Sequence, residues 1–322
     1  MAEPLLTVEG LKKYYPIEGG VWRKTIGYVK AVDGVSFEVF KGETFGLVGE
    51  SGCGKSTTGR ALMRLIEPTE GRVVFSGQDI TALDKRMLRR LRKDIQMIFQ
   101  DPFASLNPRQ TVGQIIEEPM IVHKIGTKAE RKKRVRELLE VVGLSSAYAD
   151  RYPHQFSGGQ RQRIGIARAL AVDPKLIIAD EPISALDVSI QSQVLNLLQD
   201  LQEAFGLTFL FIAHDLSAVH HFADRVGVMY LGRLVEVAES ERLYASPKHP
   251  YTKALLASVP VPDPDYKSEG EVLQGDVPNP ADPPSGCAFH PRCPFATDHC
   301  RRVRPELKTV EEGHRVACHL YA

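Results

Sequence analysis

The stretch GESGCGKS, residues 49–56, decides the fold class. It matches the pattern G-x-x-x-x-G-K followed by Ser or Thr, and it stands between an apolar run, TFGLVG (44–49), and a helical pattern over 57–66. Such a turn folds its amides around phosphate oxygens, and the helix start adds positive potential. Lys55 is expected to reach the β- and γ-phosphates, and Ser56 to bind Mg²⁺. The loop residues predicted to contact a nucleotide are Gly49, Ser51, Gly52, Cys53, Gly54, Lys55, Ser56 and Thr57.

A second apolar run ends in two adjacent carboxylates. LIIADEP (176–182) predicts a buried strand with Asp180 and Glu181 at its carboxyl end. Asp180 is expected to hold Mg²⁺, directly or through water, and Glu181 to orient and deprotonate an attacking water. Together with the phosphate loop, this pair predicts a nucleoside triphosphatase.

Further apolar patterns predict an α/β domain. The runs TFLFIAH (208–214) and RVGVMY (225–230) fit strands buried on both faces, whereas residues 35–39 alternate as a half-exposed strand does. Apolar residues also recur at helical spacing on two faces. These faces are Val135, Leu138, Leu139 and Val142, and Val194, Leu197, Leu198 and Leu201.

Composition argues against several classes of protein. The 322 residues carry a net charge of +1, so no overall field draws the chain to nucleic acid. The basic runs at 84–94 and 128–140 predict solvated helix faces, and we expect no nucleic-acid partner. The N-terminus lacks a signal-peptide pattern, and no run reaches the roughly 18 apolar residues of a membrane span. We therefore expect a cytoplasmic chain with reduced thiols.

The stretch FSGGQRQR, residues 156–163, narrows the class. A serine and two glycines at a helix start make a second anion-binding turn, although such a turn can also simply cap its helix. Its position between the phosphate loop and the carboxylate pair resembles the ATP-binding cassette (ABC) ATPases. That resemblance implies two cassettes facing head to tail, each capping the ATP held by the other. The capping residues would be Ser157, Gly158, Gly159 and Gln160.

The resemblance implies further site residues and an architecture. Tyr15 would stack on adenine, with Tyr14 as a substitute; Gln100 would contact Mg²⁺ and the attacking water. Asp187 would communicate across the dimer, and His214 would bond the γ-phosphate. Hydrolysis would then use Glu181, Lys55 and His214. Residues 1–245 are expected to form the cassette, with a mostly parallel core sheet, an antiparallel β subdomain and a helical subdomain.

Partners follow from the same resemblance. A second ATPase subunit, identical or a paralogue, and two transmembrane permease subunits are expected, together with an extracytoplasmic substrate-binding protein. The segment QDPFASLNP (100–108) would contact the permease. The chain would then lie peripherally on the cytoplasmic face of the inner membrane.

The C-terminal extension, residues 246–322, sharpens the resemblance. SPKHPYTKALLASVP (246–260) is similar to the segment after the cassette in oligopeptide and dipeptide permease ATPases, as is the opening insertion from Tyr14 to Phe37. The match is closest to the second ATPase subunit of such permeases, which implies a di- or oligopeptide cargo. A nickel or oligosaccharide importer stays open as an alternative. DNA-repair-type and translation-associated cassette ATPases fit less well, because this single cassette has no inserted domain.

Four cysteines gather after a proline-rich connection at 259–286. Their spacing is C-x5-C-x6-C-x17-C. Four thiolates can hold a 4Fe–4S cluster or tetrahedral Zn²⁺, and unligated thiols are the third alternative. The spacing resembles the cysteine segment of dipeptide permease ATPases, which implies a structural 4Fe–4S cluster. The cysteines are Cys287, Cys293, Cys300 and Cys318; the nearby His290, His299, His314 and His319 are expected to be solvated.

Overall fold

The structure is a computed structural model that describes residues 3–19, 24–258 and 275–321. Most of the proline-rich connection, up to residue 274, lies outside the described residues, as do residues 20–23 of the opening insertion. Within the described ranges, the strands are β1 (Pro4–Gly19), β2 (Lys24–Phe40), β3 (Thr44–Val48), β4 (Glu70–Phe75), β5 (Gln78–Asp79), β6 (Ile95–Ile98), β7 (Leu176–Asp180), β8 (Thr208–Ile212), β9 (Arg225–Tyr230), β10 (Arg233–Glu239), β11 (Lys308–Glu311) and β12 (His314–Val316).

The α-helices alternate with these strands through the middle of the chain. In the same ranges they are α1 (Lys55–Leu62), α2 (Lys85–Leu91), α3 (Val112–Val122), α4 (Lys128–Val141), α5 (Gly158–Leu170), α6 (Val188–Phe205), α7 (Leu216–Phe222), α8 (Ser240–Ala245), α9 (Pro250–Ala257) and α10 (Asp298–Arg302). The chain divides into two compact units: the first unit comprises 1–40, 44–81 and 213–322, and the second comprises 41–43 and 82–212.

The first unit contains an antiparallel sheet in the order β2-β1-β4-β5. The β1–β2 ladder runs from Pro4 opposite Phe40 to Gly19 opposite Lys24. The alternation predicted for residues 35–39 is confirmed, because Val35, Phe37 and Val39 are buried. This sheet is the predicted antiparallel subdomain.

A second group of strands in the first unit has the order β11-β12-β10-β9-β3. β3 and β9 are parallel, while β10 pairs antiparallel with both β9 and β12. All five residues of β3 are buried, as the apolar run predicts. β3 thereby ends in the core and delivers the phosphate loop at its carboxyl end.

The second unit contains the parallel strands β8, β7 and β6, in that order, together with α2–α6. The predicted apolar faces are confirmed: Val135, Leu138 and Leu139 of α4 are buried, as are Val194, Leu198 and Leu201 of α6. Helices α3, α4 and α5 form the predicted helical subdomain. The observed fold is thus α/β with mixed parallel and antiparallel strands.

The C-terminal extension joins the first unit through a buried carboxylate. Glu236 of β10 is fully buried and accepts the backbone N–H groups of Lys248 at 2.7 Å and His249 at 2.9 Å. Nε2 of His314, in β12, lies 2.7 Å from the same carboxylate. Because a buried carboxylate is costly unless it is hydrogen-bonded, this network fixes the extension to β10.

His249 links this network to α9. Its Nδ1 accepts the backbone N–H of Tyr251 at 3.0 Å and caps the helix. Burial lowers the pKa of His249 to about 4 from its usual 6.5, although the nearby Glu236 carboxylate opposes the shift. The ring is therefore neutral at pH 7, as the cap requires, since a protonated Nδ1 cannot accept a hydrogen bond.

Acid is expected to destabilise the protein through His249. Because the folded-state pKa lies below the unfolded value, the unfolded chain binds more protons as pH falls from about 6.5 towards 4, and stability is lost across that window. The expected loss between pH 7 and pH 5 is about 2 kcal/mol. His249→Asn keeps an acceptor for Tyr251 but does not titrate, so its unfolding midpoint should fall less between these pH values. Equal losses in both proteins, measured by thermal unfolding, would contradict this account.

Candidate functional site

The phosphate loop, residues 49–56, depends on two close backbone approaches. Gly49 has a φ of 151°, and a Cβ there would lie 2.2 Å from the Met229 carbonyl oxygen. Gly54 has a φ of 106°, and a Cβ there would lie 2.1 Å from the Ala31 carbonyl oxygen. Since real Cβ contacts are never this short, both positions require glycine. The loop is pressed against its neighbours as a compact turn.

Lys55 begins α1 and points back into this turn. Its Nζ donates to the Gly49 carbonyl at 2.7 Å and to the Glu50 carbonyl at 3.0 Å, and the residue is 4% exposed. The Cys53 thiol is buried, and burial raises its pKa, so the thiol stays protonated at neutral pH. Ser51 and Gly52 are exposed at the tip of the loop. A glycine turn, an inward lysine and the N-terminus of α1, with Ser56 and Thr57 in its first turn, fit the phosphates of a nucleotide and the Mg²⁺ bound to them.

Glu50 is held by side chains of the C-terminal extension. Its backbone N–H donates to the Tyr251 hydroxyl at 2.9 Å. Its carboxylate accepts two hydrogen bonds from Arg292, at 2.8 and 3.0 Å. The sequence prediction missed these contacts, and no local pattern signals a pair separated by 242 residues.

The carboxylate pair lies in the second unit. Asp180 is the last residue of β7 and is fully buried. Glu181 follows with a φ of 47°, in the left-handed region that a non-glycine residue rarely adopts, and its N–H donates to the Ile212 carbonyl at 2.8 Å. Its Oε2 accepts the Gln100 side-chain amide at 2.8 Å. The structure therefore brings together two residues that the sequence separates by 81 positions.

The serine–glycine turn begins α5, also in the second unit. Ser157 and Gln160 form a capping box: the Ser157 hydroxyl accepts the Gln160 N–H at 3.4 Å, and Gln160 Oε1 accepts the Ser157 N–H at 3.1 Å. Ser157 is exposed, with Gly158 and Gly159 in the first turn behind it. Asp187 is exposed at the start of α6. The turn caps its own helix and still faces outward.

The remaining predicted site residues lie in the first unit. Tyr15 is 38% exposed, whereas the neighbouring Tyr14 donates its hydroxyl to Asp33. Tyr15 is therefore the better placed of the two tyrosines for stacking on a base. His214 follows β8 and is exposed, directly before Asp215, which caps α7.

The four cysteines surround one small cavity but do not form a ready metal site. Cys287, Cys293, Cys300 and Cys318 all line it, and all are free. In the part of the chain that the structure describes, which includes these four, no group of three or more His, Cys, Asp or Glu side chains is arranged to hold a metal ion. Burial raises the pKa of Cys287 to about 11.

The nearby histidines are only partly as predicted. His314 is fully buried against Glu236, so the expectation that it is solvated is wrong. His290 is half-buried, with Nδ1 at 2.9 Å from the Cys287 carbonyl. His299 and His319 contact each other with ring centroids 4.4 Å apart.

Comparisons with known proteins match the chain to two family models and to curated relatives. The "ABC transporter" family model matches residues 32–184, and "Oligopeptide/dipeptide transporter, C-terminal region" matches residues 235–300. The oligopeptide transport ATP-binding protein AppF of Bacillus subtilis is 58% identical, over 99% of this chain and 98% of that protein. A putative peptide import ATP-binding protein of Brucella ovis is 56% identical, over 98% of this chain and 97% of that protein.

A solved structure shares the cassette fold. The ATP-binding cassette MJ0796, solved as a dimer bound to ADP and Pi, superposes with a TM-score of 0.65 at 32% identity, covering 73% of this chain and 98% of that one. The chain therefore belongs to the ATPase subunits of ABC transporters. Within that class it carries the C-terminal region of the oligopeptide/dipeptide transporters.

Within the ranges described, no helix is both long and apolar enough to cross a bilayer.

A methyl group at Gly54 is expected to disrupt the phosphate loop, because it would collide with the Ala31 backbone. Gly54→Ala should abolish ATP binding, measured by calorimetry. Gly77→Ala is the matched control: Gly77, in the turn between β4 and β5, also has a positive φ, of 76°, but a Cβ there meets nothing within 4 Å. That variant should lose only about 1–2 kcal/mol of stability and keep ATP binding. Equal ATP affinity in both variants would show that the close approach at Gly54 does not matter.

Proposed function

We propose that this chain is the ATP-hydrolysing subunit that powers an importer of di- or oligopeptides. The observation that carries the proposal is the near-complete coverage, at 58% identity, of a relative named as an oligopeptide transport ATP-binding protein. The peptide-transporter C-terminal region supports the same cargo over nickel or oligosaccharide. The functional boundary proposed is a cassette over 1–245 and an extension over 246–322.

ATP would be bound mainly by the phosphate loop. In this proposal Lys55 neutralises the β- and γ-phosphates, while backbone amides of residues 49–57 surround them. Tyr15 would stack on the adenine, which its exposed ring allows. Ser56, Gln100 and Asp180 would hold Mg²⁺, which offsets negative charge on the phosphates.

Hydrolysis would depend on residues that hold and move a proton. Glu181 would orient the attacking water and accept its proton, and its hydrogen bond to Gln100 fixes the direction of the carboxylate. His214 would donate to a γ-phosphate oxygen as charge develops there. Asp187, at the start of α6, would report the state of the site to the neighbouring cassette.

A second cassette, identical or a paralogue, would complete the site. The turn at Ser157–Gln160 is exposed, and its hydroxyl and the first N–H groups of α5 form an anion-binding end. We propose that this turn caps the γ-phosphate held by the partner cassette. ATP then favours the closed dimer, and hydrolysis removes the contact that holds it closed.

The permease subunits would bind at the loop 100–108. Phe103 in this loop is 63% exposed, and the Arg161 guanidinium lies 3.6 Å from its ring centroid. Arg161 is itself buried and donates to the Pro153 carbonyl at 2.7 Å. The guanidinium under the Phe103 ring is therefore fixed in position by this hydrogen bond. We propose that Phe103 packs against a cytoplasmic helix of the permease, which places the chain at the inner face of the membrane. Cargo would be delivered by an extracytoplasmic substrate-binding protein.

The cysteine segment, residues 287–318, is proposed to hold a 4Fe–4S cluster, with Zn²⁺ as the alternative. The support is that all four cysteines line one cavity. A bound cluster would cross-link a segment that has little apolar core of its own. Its proposed role is structural.

The transport proposal predicts a peptide-dependent ATPase. Purified with two permease subunits, the chain should hydrolyse ATP faster when a peptide-loaded binding protein is added. Glu181→Gln should lower turnover about 10²–10⁴-fold while ATP binding persists, because the general base is lost. Glu203→Gln, an exposed glutamate of α6, is the control and should be unaffected. Stimulation by nickel or an oligosaccharide instead of peptide would overturn the cargo, and normal turnover of Glu181→Gln would overturn the mechanism.

The cluster proposal predicts a coloured protein. Prepared without oxygen, it should contain about four iron and four sulfide per chain and show the broad visible absorption of a 4Fe–4S cluster. Cys300→Ser should lower the iron content, whereas Cys53→Ser, which lies in the phosphate loop, should retain it. One zinc per chain without colour would establish the alternative, and neither metal would mean unligated thiols.

A further inference from the structure

Glu50, the second residue of the phosphate loop, is held from three directions. Its carbonyl accepts a hydrogen bond from the Lys55 ammonium at 3.0 Å. Its backbone N–H donates a hydrogen bond to the Tyr251 hydroxyl, and its carboxylate accepts hydrogen bonds from both terminal nitrogens of Arg292. Two of these contacts come from the C-terminal extension. The position of Lys55 is therefore tied to the extension through a single residue.

The Arg292–Glu50 contact is a paired, largely buried interaction. The Arg292 side chain is 6% exposed and that of Glu50 is 23% exposed. Two parallel hydrogen bonds join the planar guanidinium to the carboxylate, a geometry that lysine cannot reproduce. The hydrogen bond to Glu50 raises the pKa of Arg292, so the guanidinium remains charged. This paired contact therefore fixes both the orientation of the Glu50 carboxylate and its distance from Arg292.

Arg292 belongs to the cysteine segment. It ends the short turn His290–Arg292 and directly precedes Cys293. Phe289, just before this turn, is 2% exposed and packs against Tyr251 and Tyr230, with ring centroids 5.4 and 5.3 Å away. The turn that presents Arg292 is thus anchored in the same aromatic cluster that presents the Tyr251 hydroxyl. Loosening the cysteine segment would release the Arg292 contact to Glu50.

We propose that Arg292 is a positioning residue for ATP binding: the folded cysteine segment holds Glu50 through Arg292 and so sets the position of Lys55. The proposal rests on the function proposed above for the phosphate loop. It makes ATP affinity depend on the integrity of a segment that does not touch the nucleotide. Glu181 and Gln100 are not part of this chain of contacts, so the chemical step should be little affected.

The first test separates ATP affinity from turnover. Arg292→Gln removes both charge-assisted hydrogen bonds to Glu50 and should raise the KM for ATP about tenfold, with kcat nearly unchanged. The Kd of MgATP, measured calorimetrically in the Glu181→Gln background, should rise equally. Arg292→Lys keeps the charge but not the paired geometry. Its Kd for MgATP should lie between those of the unaltered protein and Arg292→Gln. A lower melting temperature with unchanged Kd would reduce Arg292 to a structural residue and overturn the proposal.

A double-mutant cycle tests the route through Glu50. Glu50→Gln should raise the Kd of MgATP, and adding Arg292→Gln should raise it no further, because both changes break one contact. Additive effects would show that Arg292 acts by another route. Arg301→Gln is the matched control, because this arginine lies in the same segment but is 63% exposed. Its Kd should equal that of the unaltered protein.

Two further variants complete the test. Replacing Cys287, Cys293, Cys300 and Cys318 by serine should raise the Kd of MgATP in the otherwise unaltered chain but not in Arg292→Gln. An unchanged Kd in the serine variant would uncouple the cysteine segment from the loop. Lys55→Ala distinguishes the two proposals: if it leaves ATP binding intact, the phosphate loop is not the ATP site. If it abolishes binding while Arg292→Gln does not alter it, only the positioning role is wrong.

Discussion

The phosphate loop exists because its backbone passes within van der Waals contact of two carbonyl groups. At Gly49 the neighbour is the Met229 carbonyl, at the end of β9, and at Gly54 it is the Ala31 carbonyl, in β2. A Cβ at either position would overlap the neighbouring carbonyl, so only glycine fits at both. In this conformation the Gly49 and Glu50 carbonyls accept hydrogen bonds from the Lys55 ammonium. Both neighbouring carbonyls belong to strands of the first unit, so that unit sets the conformation of the loop.

The C-terminal extension also contacts the phosphate loop, through Tyr251 and Arg292. Its attachment combines a desolvated carboxylate, Glu236, with an aromatic cluster formed by Tyr230, Tyr251 and Phe289. Glu236 is hydrogen-bonded by two parts of the extension, at His249 and at His314, so detaching either part would leave a buried charge with fewer hydrogen bonds. Tyr230 ends β9, next to the Met229 carbonyl that borders the loop. Cassette and extension therefore share one core in the first unit.

The sequence predicted the features that depend on short stretches of chain, namely the buried strands and the buried helix faces. The runs 44–49 and 176–180 are buried strands, and the 3.6-residue spacing on α4 and α6 marks buried faces, because these depend on short-range periodicity. The glycines of the phosphate loop were predictable for the same reason. The contacts of Glu50 with Tyr251 and Arg292 were not, since they join residues more than 200 positions apart. The burial of His314 was missed because three residues of β12 carry too little pattern to predict a strand.

The pairing of β12 with β10 has a consequence for shortened forms of the protein. Five consecutive residues of β10, Leu234–Ala238, are buried, and β12 covers its outer side through Glu236 and Val237. Without residues beyond 245, β10 would present unpaired N–H and C=O groups along an apolar strand, a template for pairing with other chains. β11, the outermost strand of this group, instead carries Lys308 and Glu311 and is four residues long. The extension thus ends the sheet with a short, charged border that discourages self-association.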